Sequence, residues 1–171
     1  MRDTLFRSES KPTMSRVLIL GIGSDHGDDS LGWEALRRLR KKIGNGQEIE
    51  FVECDASILN CNEKISQSAK LVLIDAIANN GEAGEIYRFD LHSELSAHTR
   101  IKGSMSSHGL NVLDSVRVLI VLGLLPKEST LWGIEPGPME PNTEISSRVL
   151  KSVERLVQTI FDELVVNPVN S

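Results

Sequence analysis

Short apolar runs alternate with helical stripes along most of the chain. Residues 17–21 (VLILG) form a run ending in glycine, as expected of a strand covered on both faces. A glycine-punctuated loop, 21–30, follows. Leu31, Ala35, Leu39 and Ile43 then recur at every fourth position, a helical stripe that Gly44 can stop. Residues 48–54 (EIEFVEC) alternate weakly and suit a second strand, and 58–67 suit a short helix or turn. LVLI at 71–74 predicts another buried strand, closing on Asp75. EIYRF at 85–89, introduced by Gly81 and Gly84, predicts a strand near a sheet edge. Residues 91–102 read as a weak helix followed by a loop. Residues 110–122 are apolar on nearly every side, which predicts a buried helix ended by Gly123 and Pro126. Residues 129–134 read as the last strand. Ile145, Val149, Val153, Leu156, Ile160 and Leu164 then follow three- and four-residue steps, with Asn142 or Thr143 available to cap that helix.

Strands that alternate with helices imply an α/β fold: a single-domain three-layer sandwich, with a twisted, mostly parallel five-stranded sheet flanked by helices. No repeat, low-complexity tract or linker divides it. Residues 1–14 (MRDTLFRSESKPTM) are polar and read as a flexible N-terminal extension, with Met14 as an alternative start, leaving 15–171 as the α/β domain.

Charge changes the picture modestly. Nineteen Lys and Arg stand against 24 Asp and Glu, a mild acidity that argues against a nucleic-acid or anionic-membrane surface. The N-terminus lacks the apolar run of a signal peptide, and no stretch approaches the roughly 20 apolar residues of a membrane span. The chain therefore reads as a cytoplasmic protein. One domain accounts for the buried pattern, so a monomer is expected. Cys54 and Cys61 lack C-x-x-C spacing and are too few for a disulfide framework, so both read as reduced structural thiols.

In open α/β sheets ligands collect at the carboxyl ends of parallel strands, and three polar segments fall there. The first is the loop from Gly21 to Ser30. Its glycines, Gly21, Gly23 and Gly27, invite comparison with a phosphate-cradling turn, with Glu53 or Asp55 as the acid after the second strand. Asp25, Asp28 and Asp29 oppose that reading. One like-charge pair at 4 Å costs about 1 kcal/mol in water and about 4 kcal/mol at an effective dielectric near 20. A helix N-terminus returns roughly 0.3–1 kcal/mol, so the loop suits a cation. Asp28, Asp29 and Ser30 are equally good helix caps. The second segment is Asp75, an acid closing an apolar strand, which needs a partner, a metal or a neighbouring loop to tie down. The third is Ser106–Ser107–His108–Gly109, where His108 is either a ligand or a hydrogen-bonded structural histidine. His26 lies inside the acidic loop, while His92 and His98 sit in a polar stretch and read as solvent-exposed. Two carboxylates and one imidazole from three strand ends would make an O,O,N set suited to zinc or nickel. No G-x-S-x-G elbow supports a serine nucleophile.

The segments VLILGIGSDHGDDSLGWEAL, LVLIDAIANNGEAGEIYRFD and SSHGLNVLDSVRVLIVLGLLPKESTLWGIEP resemble, in order and spacing, the sequence blocks of the hydrogenase maturation endopeptidases. The resemblance runs from about residue 16 to residue 136. It implies a twisted sheet flanked by helices and a metal-binding cleft whose residues match Asp29, Asp75 and His108. It further implies an endopeptidase that trims the C-terminal tail of a nickel–iron hydrogenase large-subunit precursor after nickel insertion. The resemblance also implies that the nickel is carried by the substrate, with zinc or another divalent ion as surrogate. Relatives commonly carry Asn where Ser24 stands and often Gly where Ser30 stands, and His26 is unusual. Two other classes stay open from the residues alone: a non-catalytic metal or maturation chaperone, and a nucleotide-binding α/β enzyme.

Overall fold

In a computed structural model, described over residues 17–24, 30–44, 48–55, 57–96, 112–137 and 145–166, the apolar runs form one five-stranded sheet. The strands are β1 (Val17–Ile22), β2 (Ile49–Cys54), β3 (Lys70–Ala76), β4 (Ile86–Asp90) and β5 (Glu128–Ile134), in the order β2-β1-β3-β5-β4. All neighbours are parallel except β4, which runs antiparallel to β5 at the edge where its sequence pattern placed it. Alternation along each strand sends Leu18, Leu20, Leu71, Leu73 and Leu131 to one face, and Ile19, Val72, Ile74, Trp132 and Ile134 to the other. Both faces are covered, which explains why the central strands are apolar throughout.

On the first face lie a 3₁₀ turn (Ile58–Cys61) and the helices α2 (Asn62–Gln67), α3 (Leu91–Ser96) and α4 (Val112–Val121). The second face carries α1 (Leu31–Ile43) and α5 (Ser147–Phe161). The stripe of α1 is buried at Leu31, Ala35 and Leu39. Gly44, at φ 77°, ends the helix by donating its N–H to the Arg40 carbonyl. In α5, Val149, Val153, Leu156 and Ile160 are buried. Each such side chain contributes about 1.5–3 kcal/mol, whereas an exposed pair such as Arg38 with Glu154 adds about 0–1 kcal/mol. Packing therefore decides where α5 sits.

Two sequence readings need correction. The cap of α5 is Ser146, whose hydroxyl accepts from the Val149 N–H. The helix begins later than its apolar pattern suggested, and Asn142 and Thr143 lie outside the described residues. Helix α4 is not buried all round: Val112, Leu113, Val116 and Leu119 face the sheet, while Val118, Ile120, Val121 and Leu122 are exposed, Val121 to 85%. A helix in an outer layer has the sheet on one side alone, whatever its composition. Gly123, at φ 68°, ends it as expected. The proposed extension, residues 1–14, lies outside the described residues. Among the described residues no helix is long and apolar enough to cross a membrane.

Helix α1 lies unusually close to the sheet. A Cβ added at Gly32 would run into the Ile22 carbonyl oxygen and come within 2.6 Å of the Ile74 carbonyl oxygen. One added at Gly21 would lie 2.6 Å from the Gly32 carbonyl oxygen and 2.8 Å from Leu36 Cβ. The obstacles are mostly main chain and cannot swing aside. We expect Gly32→Ala to cost about 3 kcal/mol, the upper end of ordinary overpacking. That corresponds to a fall of roughly 6–12 °C in Tm for a chain of this size. Scanning calorimetry checks this, and an unchanged Tm would mean that the contact is not tight.

Candidate functional site at the carboxyl edge of the sheet

Strands β1, β3 and β5 are parallel, so their carboxyl ends share one edge of the sheet, and antiparallel β4 starts from that edge. Asp75 is the penultimate residue of β3 and is only 7% exposed. Alternation puts it on the face of Leu71 and Leu73, the side covered by α4. It pairs in register with Gly133 of β5, which in turn faces Tyr87 of β4. Asp75, Gly133 and Tyr87 thus form one row across the strand ends. Gly133 must lack a side chain because Ile77 packs over it, with Cδ1 at 2.5 Å from where a Cβ would stand.

A second buried acid, Glu135, follows β5 and is 6% exposed. Its Oε2 accepts from the Tyr87 hydroxyl at 2.7 Å and from the Asn79 N–H at 2.9 Å. Its own N–H donates to the Glu85 carbonyl, and its carbonyl accepts from the Gly84 N–H, both at 2.8 Å. Burial, then the hydrogen bond and charge of Glu135, then the charge of Glu85, push the Tyr87 phenol well above its ordinary pKa. Tyr87 therefore stays a donor. Sequence reasoning stopped the last strand at 134 and passed over Glu135 just beyond it; the rule that singled out Asp75, an acid at the end of a buried run, applies to it as well.

On the other side of Asp75, the Cys54 carbonyl at the end of β2 accepts from the Gly23 N–H at 3.1 Å and from Trp33 Nε1 at 3.2 Å. That one oxygen ties the chain leaving β1 to the first turn of α1, on either side of the acidic loop in sequence. Ser30 stands at the N-cap position with φ −83°, so its side chain is unstrained there, and it makes no capping side-chain hydrogen bond. Of the expected set, Asp75 alone lies within the described residues. Asp29 and His108 lie outside them, as do Asp25, His26, Asp28, His98 and the rest of the Ser106–Gly109 turn. Among the described residues no group of three His, Cys, Asp or Glu side chains could hold a metal.

Two other candidates, Glu53 and His92, have structural partners. Glu53 accepts two hydrogen bonds from Arg37, at 2.8 and 3.0 Å, which hold its carboxyl below the usual range and commit it to the surface of α1. His92, expected in solvent, is half-buried and donates from Nε2 to the Pro126 carbonyl at 2.8 Å, because α3 rests against the start of β5. Cys54 is buried and Cys61 half-buried, and neither is in a disulfide among the described residues.

Residues 34–163 match the family model HycI, described as hydrogenase maturation protease. The chain is 22% identical over 150 residues to the hydrogenase 2 maturation protease of Escherichia coli (strain K12), covering 87% of this chain and 90% of that one. It is also similar to the [NiFe] hydrogenase maturation protease HycI from Thermococcus kodakarensis KOD1, with TM-score 0.67, 26% identity, and 90% and 94% of the two chains covered. The solution structure of an endopeptidase from Escherichia coli gives TM-score 0.74 at 20% identity, over 91% of this chain and 95% of that one. These structures share the three-layer sandwich built on a mostly parallel sheet.

Tyr87 is the sole tyrosine of the chain, so its ionisation can be read without background. Ultraviolet titration of the native protein should show phenolate only above the ordinary value of about 10; a native midpoint near 10 would contradict the half-buried bond to Glu135. The linkage has a definite sign. A raised folded-state pKa adds stability that is fully present below about pH 10 and lost as pH rises through the raised value. Tyr87→Phe should therefore cost about 1.5–3 kcal/mol in urea unfolding at pH 8, and less as pH rises above 10.

Proposed function

The chain belongs to the hydrogenase maturation protease family, and from that premise we propose that it removes the C-terminal tail of a nickel–iron hydrogenase large-subunit precursor once nickel has been inserted. The observation that carries this reading is Asp75, a carboxylate nine-tenths buried at the carboxyl end of a central parallel strand. Ligands collect at that edge in such sheets.

In this reading Asp29, Asp75 and His108 offer two oxygens and a nitrogen to the nickel that the precursor carries, a donor set that also accepts zinc or another divalent ion. Holding the metal fixes the tail beside the site. One of the two carboxylates takes a proton from the water that attacks the scissile carbonyl. The carbon–nitrogen bond then breaks, the leaving amine takes up a proton, and the shortened subunit and a free peptide result. Nothing favours a thiol nucleophile, since Cys54 ends a strand in the packed core and Cys61 closes a 3₁₀ turn. The partner is the large-subunit precursor, met by a monomer in the cytoplasm without nucleic acid or membrane.

Intact-mass measurement of a nickel-loaded precursor tests the reading. Wild type should produce one C-terminal truncation, and Cys54→Ala should do the same. Asp29→Ala, Asp75→Ala and His108→Ala, if folded, should each slow cleavage at least about 100-fold, as loss of a proton-transfer or positioning group does. A cognate precursor left at full mass by wild type would overturn the endopeptidase reading and favour a metal or maturation chaperone. Cleavage that survives Asp75→Ala would remove the site.

A further inference from the structure

Once the paired register of β3 with β5 ends at Ala76 and Ile134, the segment that leaves Asp75 is held against β5 by four hydrogen bonds among the described residues. The first joins the Ile77 N–H to the Ile134 carbonyl at 2.9 Å. The other three all involve Glu135: the Asn79 N–H to its Oε2, the Gly84 N–H to its carbonyl, and its N–H to the Glu85 carbonyl. The segment turns sharply here, with Asn80 at φ 62° and Gly84 at φ 85°. It is also tightly filled, since a Cβ at Gly81 would run into the Tyr87 hydroxyl and the Glu85 carboxylate. Tyr87, the second donor to Glu135, stands in the same cross-strand row as Asp75.

We propose that Glu135 is a positioning residue for the cleavage site, its carboxylate locking the chain that leaves β3 through Asn79 and Tyr87 and so holding Asp75 in place. This rests on the function proposed above. Glu135 acts through the main chain four residues beyond Asp75 and through the row that Tyr87 shares with it, without touching the precursor. Both hydrogen bonds go to a single oxygen, Oε2. The side-chain oxygen of glutamine can therefore replace it, whereas alanine leaves a half-buried hydroxyl and a half-buried N–H without that acceptor. Displacement of a catalytic group by about 1 Å can cost on the order of 100-fold in rate.

Steady-state cleavage of the nickel-loaded precursor should show kcat reduced about 10- to 100-fold in Glu135→Ala, with KM within about twofold, because the group misplaced is catalytic. Glu135→Gln should recover kcat to within about threefold of wild type. Amide hydrogen exchange of the same proteins should show faster exchange at Ile77 and Asn79 in the alanine variant and wild-type protection in the glutamine variant. Where Glu135→Ala does not fold, Tyr87→Phe, which removes one of the two donors, should give a smaller loss of the same kind. Wild-type kcat with unchanged exchange in folded Glu135→Ala would overturn the proposal. So would a glutamine variant as slow as the alanine one, since the charge and not the placement would then matter. A wild-type protein that leaves the precursor uncut would defeat the proposed function, while the exchange measurement would still decide whether Glu135 locks the segment.

Discussion

The absence of two side chains, at Gly21 and Gly32, lets α1 rest directly on the ends of β1 and β3. Most of the carboxyl edge follows from that approach. It brings Leu31, Ala35, Leu36 and Leu39 onto the sheet, where their burial outweighs any surface ion pair of the helix. It also sets the first turn of α1 beside the Ile22 and Ile74 carbonyls, one residue from Asp75. The Cys54 carbonyl reinforces the arrangement by binding both Gly23 and Trp33. The acidic loop thus connects two fastened points.

On the other side of Asp75 the chain is fastened by different means. Gly133 leaves room for Ile77 in the row between Asp75 and Tyr87, and Glu135 gathers the Tyr87 hydroxyl and the Asn79 N–H on one oxygen. A leucine at either acidic position would be cheaper to bury than a carboxylate. Glu135 offsets part of that cost with its own hydrogen bonds.

The strands and the two helices of the α1/α5 layer were legible from the chain because their burial is periodic: continuous for β1 and β3, every third or fourth residue for α1 and α5. The peripheral place of β4 was legible from its glycine-flanked, mixed pattern. Helix α4 was misread because apolar residues on all sides carry no phase, and only the sheet determines that Val121 points away. Asp75 could be read as an acid closing an apolar run. Glu135 and Tyr87 could not be paired from sequence, since 48 positions separate them and register alone brings them together. His92 took its partner, Pro126, by the same kind of long-range packing. Asp29 and His108 were read from their places after strand ends and matched by the family blocks, and they lie outside the described residues.

The most direct measurement is anomalous scattering from crystals of the protein soaked with nickel, with the ion located relative to the three strand ends. One ion at bonding distance from Asp75, with Asp29 and His108 completing its protein ligands, is the result predicted by a cleft that receives the metal of the precursor. An ion bound elsewhere, or Asp75 turned away from both Asp29 and His108, would contradict it.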